Sequence, residues 1–126
     1  MINYKVIERP EPGVVGGGVK KYYAAIESDG EFNLSELTTA IEKICTVSGA
    51  DIRAVLYSLV DVAVDRLNRG TIVRLGDLGS MRISLRSEGA ETADKFNVKM
   101  IKNAKVIFYP GKRLKTMLDN LEYHKV

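Results

Sequence analysis

Tryptophan is absent from the 126-residue chain, histidine and cysteine occur once each, and proline occurs three times. A single cysteine, Cys45, excludes an intrachain disulfide and fits a reducing compartment. With His124 as the only imidazole, no set of side chains has metal-ligand spacing, and no nucleophile sits beside a base. The expectation is therefore a protein that is not an enzyme, with no catalytic residue, no metal, no cofactor and no small-molecule substrate. No apolar run approaches the roughly 20 residues of a membrane span. The start, Met1-Ile2-Asn3-Tyr4-Lys5, also lacks the charged-then-apolar order of a secretory signal. A soluble, cytoplasmic chain with no membrane partner is expected.

What is present is ordinary in amount and uneven in placement. Apolar residues make up 45% and charged residues 28%, values of a soluble globular domain. The net charge is only +3, yet residues 71–126 hold eleven Lys/Arg against six Asp/Glu. Residues 1–32 and 33–70 each hold four cations and five anions. A localised basic field is the footprint of a surface that binds a polyanion.

The periodicities give an α+β order. Residues 3–9 read as a short strand ended by Pro10-Glu11-Pro12-Gly13, and residues 19–27 as a second, Tyr-rich strand. Gly16-Gly17-Gly18 between them is a linker, because no Gly-Lys-Ser/Thr follows to make a phosphate loop. Asn33 and Glu36 open a helix with Leu34, Leu37, Ile41, Ile44 and Cys45 on one face. Ser48 and Asp51 cap a longer helix, about 50–68, closed by Arg69-Gly70. Its apolar residues (Ile52, Val55, Leu56, Leu59, Val60, Val62, Ala63, Val64, Leu67) cover more than one stripe. Such a helix must be buried on several sides, which a chain this small cannot do alone. An obligate homodimer is expected.

Next come two alternating runs, residues 71–75 and 80–86, around Gly76-Asp77-Leu78-Gly79, the pattern of a hairpin. Residues 87–103 have no clean period and read as a mobile excursion that leaves the sheet and returns. An apolar strand, 104–108, then meets Tyr109-Pro110-Gly111, and a basic amphipathic helix follows with Leu114, Met117, Leu118 and Leu121. Lys112, Arg113 and Lys115 crowd its first turns, against the helix dipole. An external anion explains that placement, and a solvated basic face is the plain alternative.

Three stretches in this order carry a family resemblance: Ser35-Glu36-Leu37 to Ile44 with the turn through Ser48; Arg69-Gly70 to Ile83 with its glycine bend; and Phe108-Tyr109-Pro110-Gly111-Lys112-Arg113-Leu114-Lys115. Together they resemble the HU/IHF family of bacterial histone-like DNA-binding proteins, in a divergent, N-terminally extended branch of Bacteroidetes type. The resemblance implies an intertwined dimer: a helix pair, a β-sheet with a protruding arm at about 84–103, and a short C-terminal helix. Residues 1–32 would be an added β extension with a Gly-rich linker, and 33–126 the HU-like domain. It also implies architectural binding of double-stranded DNA in the nucleoid, with low sequence specificity. Phosphates would be met by Lys112, Arg113 and Lys115 on the body and by Arg82, Arg86, Lys95, Lys99 and Lys102 along the arm.

The chain also departs from that pattern. Asp77 and Leu78 replace a glycine and an aromatic of the bend, and the excursion carries Glu88, Glu91 and Asp94. No proline lies between Pro12 and Pro110 to wedge between base pairs, so strong bending by intercalation is not expected. These departures keep a second reading open, an HU-like dimer repurposed as a protein-interaction module through its added edge strands.

Overall fold

A computed structural model describes residues 1–126. It divides into two compact units, residues 1–33 with 117–126, and residues 34–116. The C-terminal ten residues group with the N-terminal strands.

In the first unit, β1 (Ile2–Arg9) pairs antiparallel with β2 (Lys21–Ile26), Tyr4 lying opposite Ile26 and Arg9 opposite Lys21. The glycine connector between them doubles back through a Glu11 N–H to Gly17 carbonyl bond of 2.6 Å.

In the second unit, α1 (Leu34–Ile44) and α2 (Gly49–Asn68) form a helix pair. The turn between them is fixed by Ser48, whose hydroxyl accepts from the Asp51 N–H at 3.3 Å. Gly70, at φ +78°, closes α2 by donating to the Leu67 carbonyl. Only one stripe of α2 is covered: Ile52 and Ala63 are buried and Leu56 and Leu67 half-buried. Val55 (64% exposed), Leu59 and Val62 (59%) form a second apolar stripe, and Tyr57, Val60 and Val64 a third. Cys45, Leu37 and Ile44, expected in a core, are exposed in the single chain.

The helices are followed by β3 (Val73–Arg74), β4 (Gly79–Ser87) and β5 (Ile101–Pro110), in sheet order β3-β4-β5, all antiparallel. The hairpin expected between 71–75 and 80–86 is short, since β3 reaches only Met81 and Ser80. Beyond Arg82, β4 and β5 continue as a two-stranded ribbon. The last strand begins at Ile101 rather than 104. Residues 88–100 contain two short 3-10 turns, 93–95 and 98–100.

α3 (Lys112–Asp119) follows Pro110 at once. Gly111 locks its entry to the bend by donating to the Leu78 carbonyl at 2.9 Å. A Cβ on Gly111 would collide with the Asp77 carbonyl. A Cβ on Gly79, at φ +151°, would meet the Tyr109 carbonyl oxygen and the Phe108 ring.

The chain ends in β6 (Tyr123–Lys125), which adds to β1 in parallel, Ile2 opposite Tyr123, and completes a sheet of order β2-β1-β6. The sequence gives no sign of this strand. His124 therefore lies in a sheet, opposite Asn3. No helix is long and apolar enough to cross a membrane.

Candidate nucleic-acid interface

The site follows from the two-residue period of a strand. Residues directly opposite in a ladder share a face, and each strand sends alternate side chains to it. Here Arg74 lies opposite Ser80, Ser80 opposite Tyr109, Arg82 opposite Ile107, Ser84 opposite Lys105 and Arg86 opposite Asn103. One face of the sheet therefore carries Arg74, Arg82, Arg86 and Lys105, with Ser80, Ser84, Asn103, Ile107 and Tyr109 between them. The other face carries Val73, Met81, Ile83, Leu85, Ala104, Val106 and Phe108. No acidic side chain lies on either face within these pairings.

At the glycine corner the cationic face deepens into a cleft of about 430 Å³ lined by Arg74, Arg82, Tyr109 and Lys115 among the backbone of Gly76, Gly79 and Gly111. The Arg82 guanidinium lies over the Tyr109 ring, 5.3 Å from its centroid. Its Nε is buried and has no hydrogen-bond partner in the protein. A buried donor without an acceptor costs about 1–3 kcal/mol. A second polar cleft, about 580 Å³, runs along the ribbon between Ser84, Arg86, Asn103 and Lys105.

The residues expected from the sequence are not all brought together. Arg82, Arg86 and Lys115 meet on this side. Helix geometry turns about 100° per residue, which puts Lys112 about 60° and Arg113 about 160° round α3 from Lys115. Only Lys115 of the three lines the cleft.

Lys95, Lys99 and Lys102 lie off the paired face. Lys102 is the extra residue of a bulge, because Arg86 pairs with Asn103 and Ser87 with Ile101. Its Nζ reaches Glu88 at 2.9 Å, and Lys95 reaches Glu91 at 3.4 Å. The Thr92 hydroxyl and a backbone hydrogen bond hold the Asp94 carboxyl below its ordinary value, so it stays ionised at this end of the ribbon.

Two cations of the face, Arg74 and Lys105, escaped the sequence reading. The signal was the alternation Asn103, Lys105, Ile107, Tyr109 against Ala104, Val106, Phe108. No group of three or more His, Cys, Asp or Glu side chains converges to hold a metal ion.

The fold has solved relatives. A candidate bacterial DNA-binding protein from Bacteroides vulgatus superimposes with a TM-score of 0.70 at 11% identity, over 99% of this chain and 48% of that one. This chain thus spans about half of that protein's length. A comparison with curated proteins finds no match. The profile of one family matches residues 1–125, and by that match the chain belongs to the family of HU domains fused to a winged helix-turn-helix, an Ig domain or a glycine-rich motif.

Proposed function

We propose that this protein is a dimeric, architectural DNA-binding protein of the bacterial nucleoid that grips the phosphate backbone with little regard to sequence. The observation that carries this reading is the gathering of Arg74, Arg82, Arg86 and Lys105 on one sheet face, with Lys115 at its corner. Along β4, Arg82 and Arg86 are separated by four residues, about 13 Å. That is roughly four base-pair rises of one DNA strand. Arginine suits phosphate because its planar fork can meet two oxygens at once, and phosphate contacts give affinity without reading bases.

The dimer is the second part of the proposal. Two uncovered apolar stripes on α2 and the exposed apolar back of the ribbon (Leu85, Val106, Phe108) need a cover, and a second copy supplies it on both chains at once. The family and the Bacteroides vulgatus protein support the DNA reading. The test is fluorescence anisotropy with two duplexes of unrelated sequence across a salt series. Equal affinities and a steep, shared salt slope are expected. Absence of binding at low salt refutes the proposal and favours the protein-interaction reading.

A further inference from the structure

One surface is left unused by the DNA reading, the outer edge of β2. In the β1–β2 ladder, the Glu27 N–H donates to the Asn3 carbonyl at 2.7 Å, so the odd-numbered residues of β2 turn their backbone groups toward β1. Tyr22, Ala24 and Ile26 then point theirs outward, and β2 is the edge of its sheet. Nothing guards that edge. Residues 21–26 hold no proline, no bulge interrupts their register, and Lys21 is the only charge. The side chains of Tyr22, Ala24 and Ile26 share one face of the sheet, where Tyr22 is 71% and Ile26 66% exposed. Ala24 and Ile26 border an apolar groove of about 800 Å³ that Tyr4, Met117, Leu118 and Leu121 also line.

The charges flanking this strand are arranged for an antiparallel copy of itself. Lys20 and Lys21 stand at its start, and Glu27, Asp29 and Glu31 stand just past its end. We infer that β2 pairs across a two-fold axis with β2 of a second copy, centred on Ala24. In that register Ala24 faces Ala24, Tyr22 faces Ile26, and Lys21 faces Glu27. The register agrees with the ladder already present, because the even-numbered residues that face one another are those whose N–H and C=O groups are free to pair. Tyr22 packs on Ile26 of the other copy twice over, extending the apolar face across the joint. Glu27, which already meets Lys5 at 3.3 Å, gains a second cation. This interface lies in the unit 1–33 with 117–126 and is independent of the DNA reading. A chain with two separate two-fold interfaces, this one and the α2 face, joins dimers into larger arrays.

The test is sedimentation of the full chain over a concentration series, together with hydrogen exchange at single amides. The wild type is expected to associate one step beyond the body dimer. On association the amides of Tyr22, Ala24 and Ile26, which have no acceptor within the sheet, become slow to exchange. Ala24→Pro removes the central donor while leaving the β1 ladder untouched, and is expected to weaken this step by about tenfold or more. Lys21→Glu sets two carboxylates face to face and weakens it too. Adding Glu27→Lys to Lys21→Glu reverses the charges and restores association, an outcome that mere loss of fold cannot produce. The inference is overturned if the wild type shows no such step. It is also overturned if the step survives both single variants, or if it leaves the three amides fast.

Discussion

Arg82→Ala is the sharpest test of the phosphate face. Arg82 sits mid-strand in β4, stacked on Tyr109, with its Nε buried and unpartnered in the corner cleft. If it meets one phosphate per chain, losing it from both chains of a dimer makes the slope of log affinity against log salt shallower by about 1.8, at roughly 0.9 per contact. Between 50 and 200 mM salt that is about a twelvefold smaller loss of affinity. Arg82→Lys separates charge from geometry. It keeps the cation and hence the slope, but loses the planar stack and the fork, so affinity falls at every salt concentration. Anisotropy titrations at four or more salt concentrations measure both quantities. An Arg82→Ala protein with unchanged slope, beside an Arg113→Ala protein whose slope falls, would refute the assignment of the sheet face and restore the helix as the contact surface.

Arg74→Ala and Lys105→Ala, read in the same titrations, are each expected to flatten the slope by about as much as Arg82→Ala, because the register places them on the same face. Val62→Asp puts an unpaired charge on the open α2 stripe. It is expected to raise the dimer dissociation constant more than a hundredfold, about 3 kcal/mol or more, as seen by light scattering against concentration. Gly79→Ala meets both a positive φ and the Tyr109 carbonyl, and is expected to lower stability by about 2–4 kcal/mol in urea unfolding. Glu88→Gln with Glu91→Gln releases Lys102 and Lys95 from their ion pairs. DNA affinity at low salt is expected to rise and the salt slope to steepen.

How much of this was legible before folding varies by element, for physical reasons. Helices announce themselves locally. Ser48 and Asp51, Arg69-Gly70 and the apolar stripes fixed α2 within a residue of its observed Gly49–Asn68 span. The excess of apolar faces on α2 was legible too, since it needs only a helical period. What failed was whatever depends on a partner strand. β6 is three residues long, Tyr-His-Lys, with no β-branched side chain, and it exists because β1 offers a free edge far away in sequence. Lys105 was hidden inside an apparently apolar run until pairing with Ser84 showed which face it takes. Lys102 read as an arm cation because a bulge cannot be seen in one strand alone. The tip pairs Lys95–Glu91 and Lys102–Glu88 likewise turn nominal cations into a nearly neutral surface.

On the proposed reading, the two faces of the β3-β4-β5 sheet couple assembly to binding in one element. A two-residue period that puts Arg82, Arg86 and Lys105 on the front forces Ile83, Leu85, Val106 and Phe108 onto the back. The front gathers like charges, and their mutual repulsion opposes the flat ribbon that displays them. The back exposes apolar area that favours any cover. With a second copy on the back and a polyanion on the front, each ligand removes the cost that the other leaves. If the proposed dimer binds DNA through this face, DNA prefers the assembled, ordered ribbon to the separated chains, and by linkage it stabilises the dimer as much as the dimer strengthens its grip. The acidic residues at the ribbon's end fit the same balance. Glu88, Glu91 and Asp94 relieve the repulsion where no second strand pair and no glycine corner hold the backbone in place. On the proposed reading the phosphate contacts lie on the paired stretch from Arg74 to Arg86 and Lys105, short of the acidic end of the ribbon.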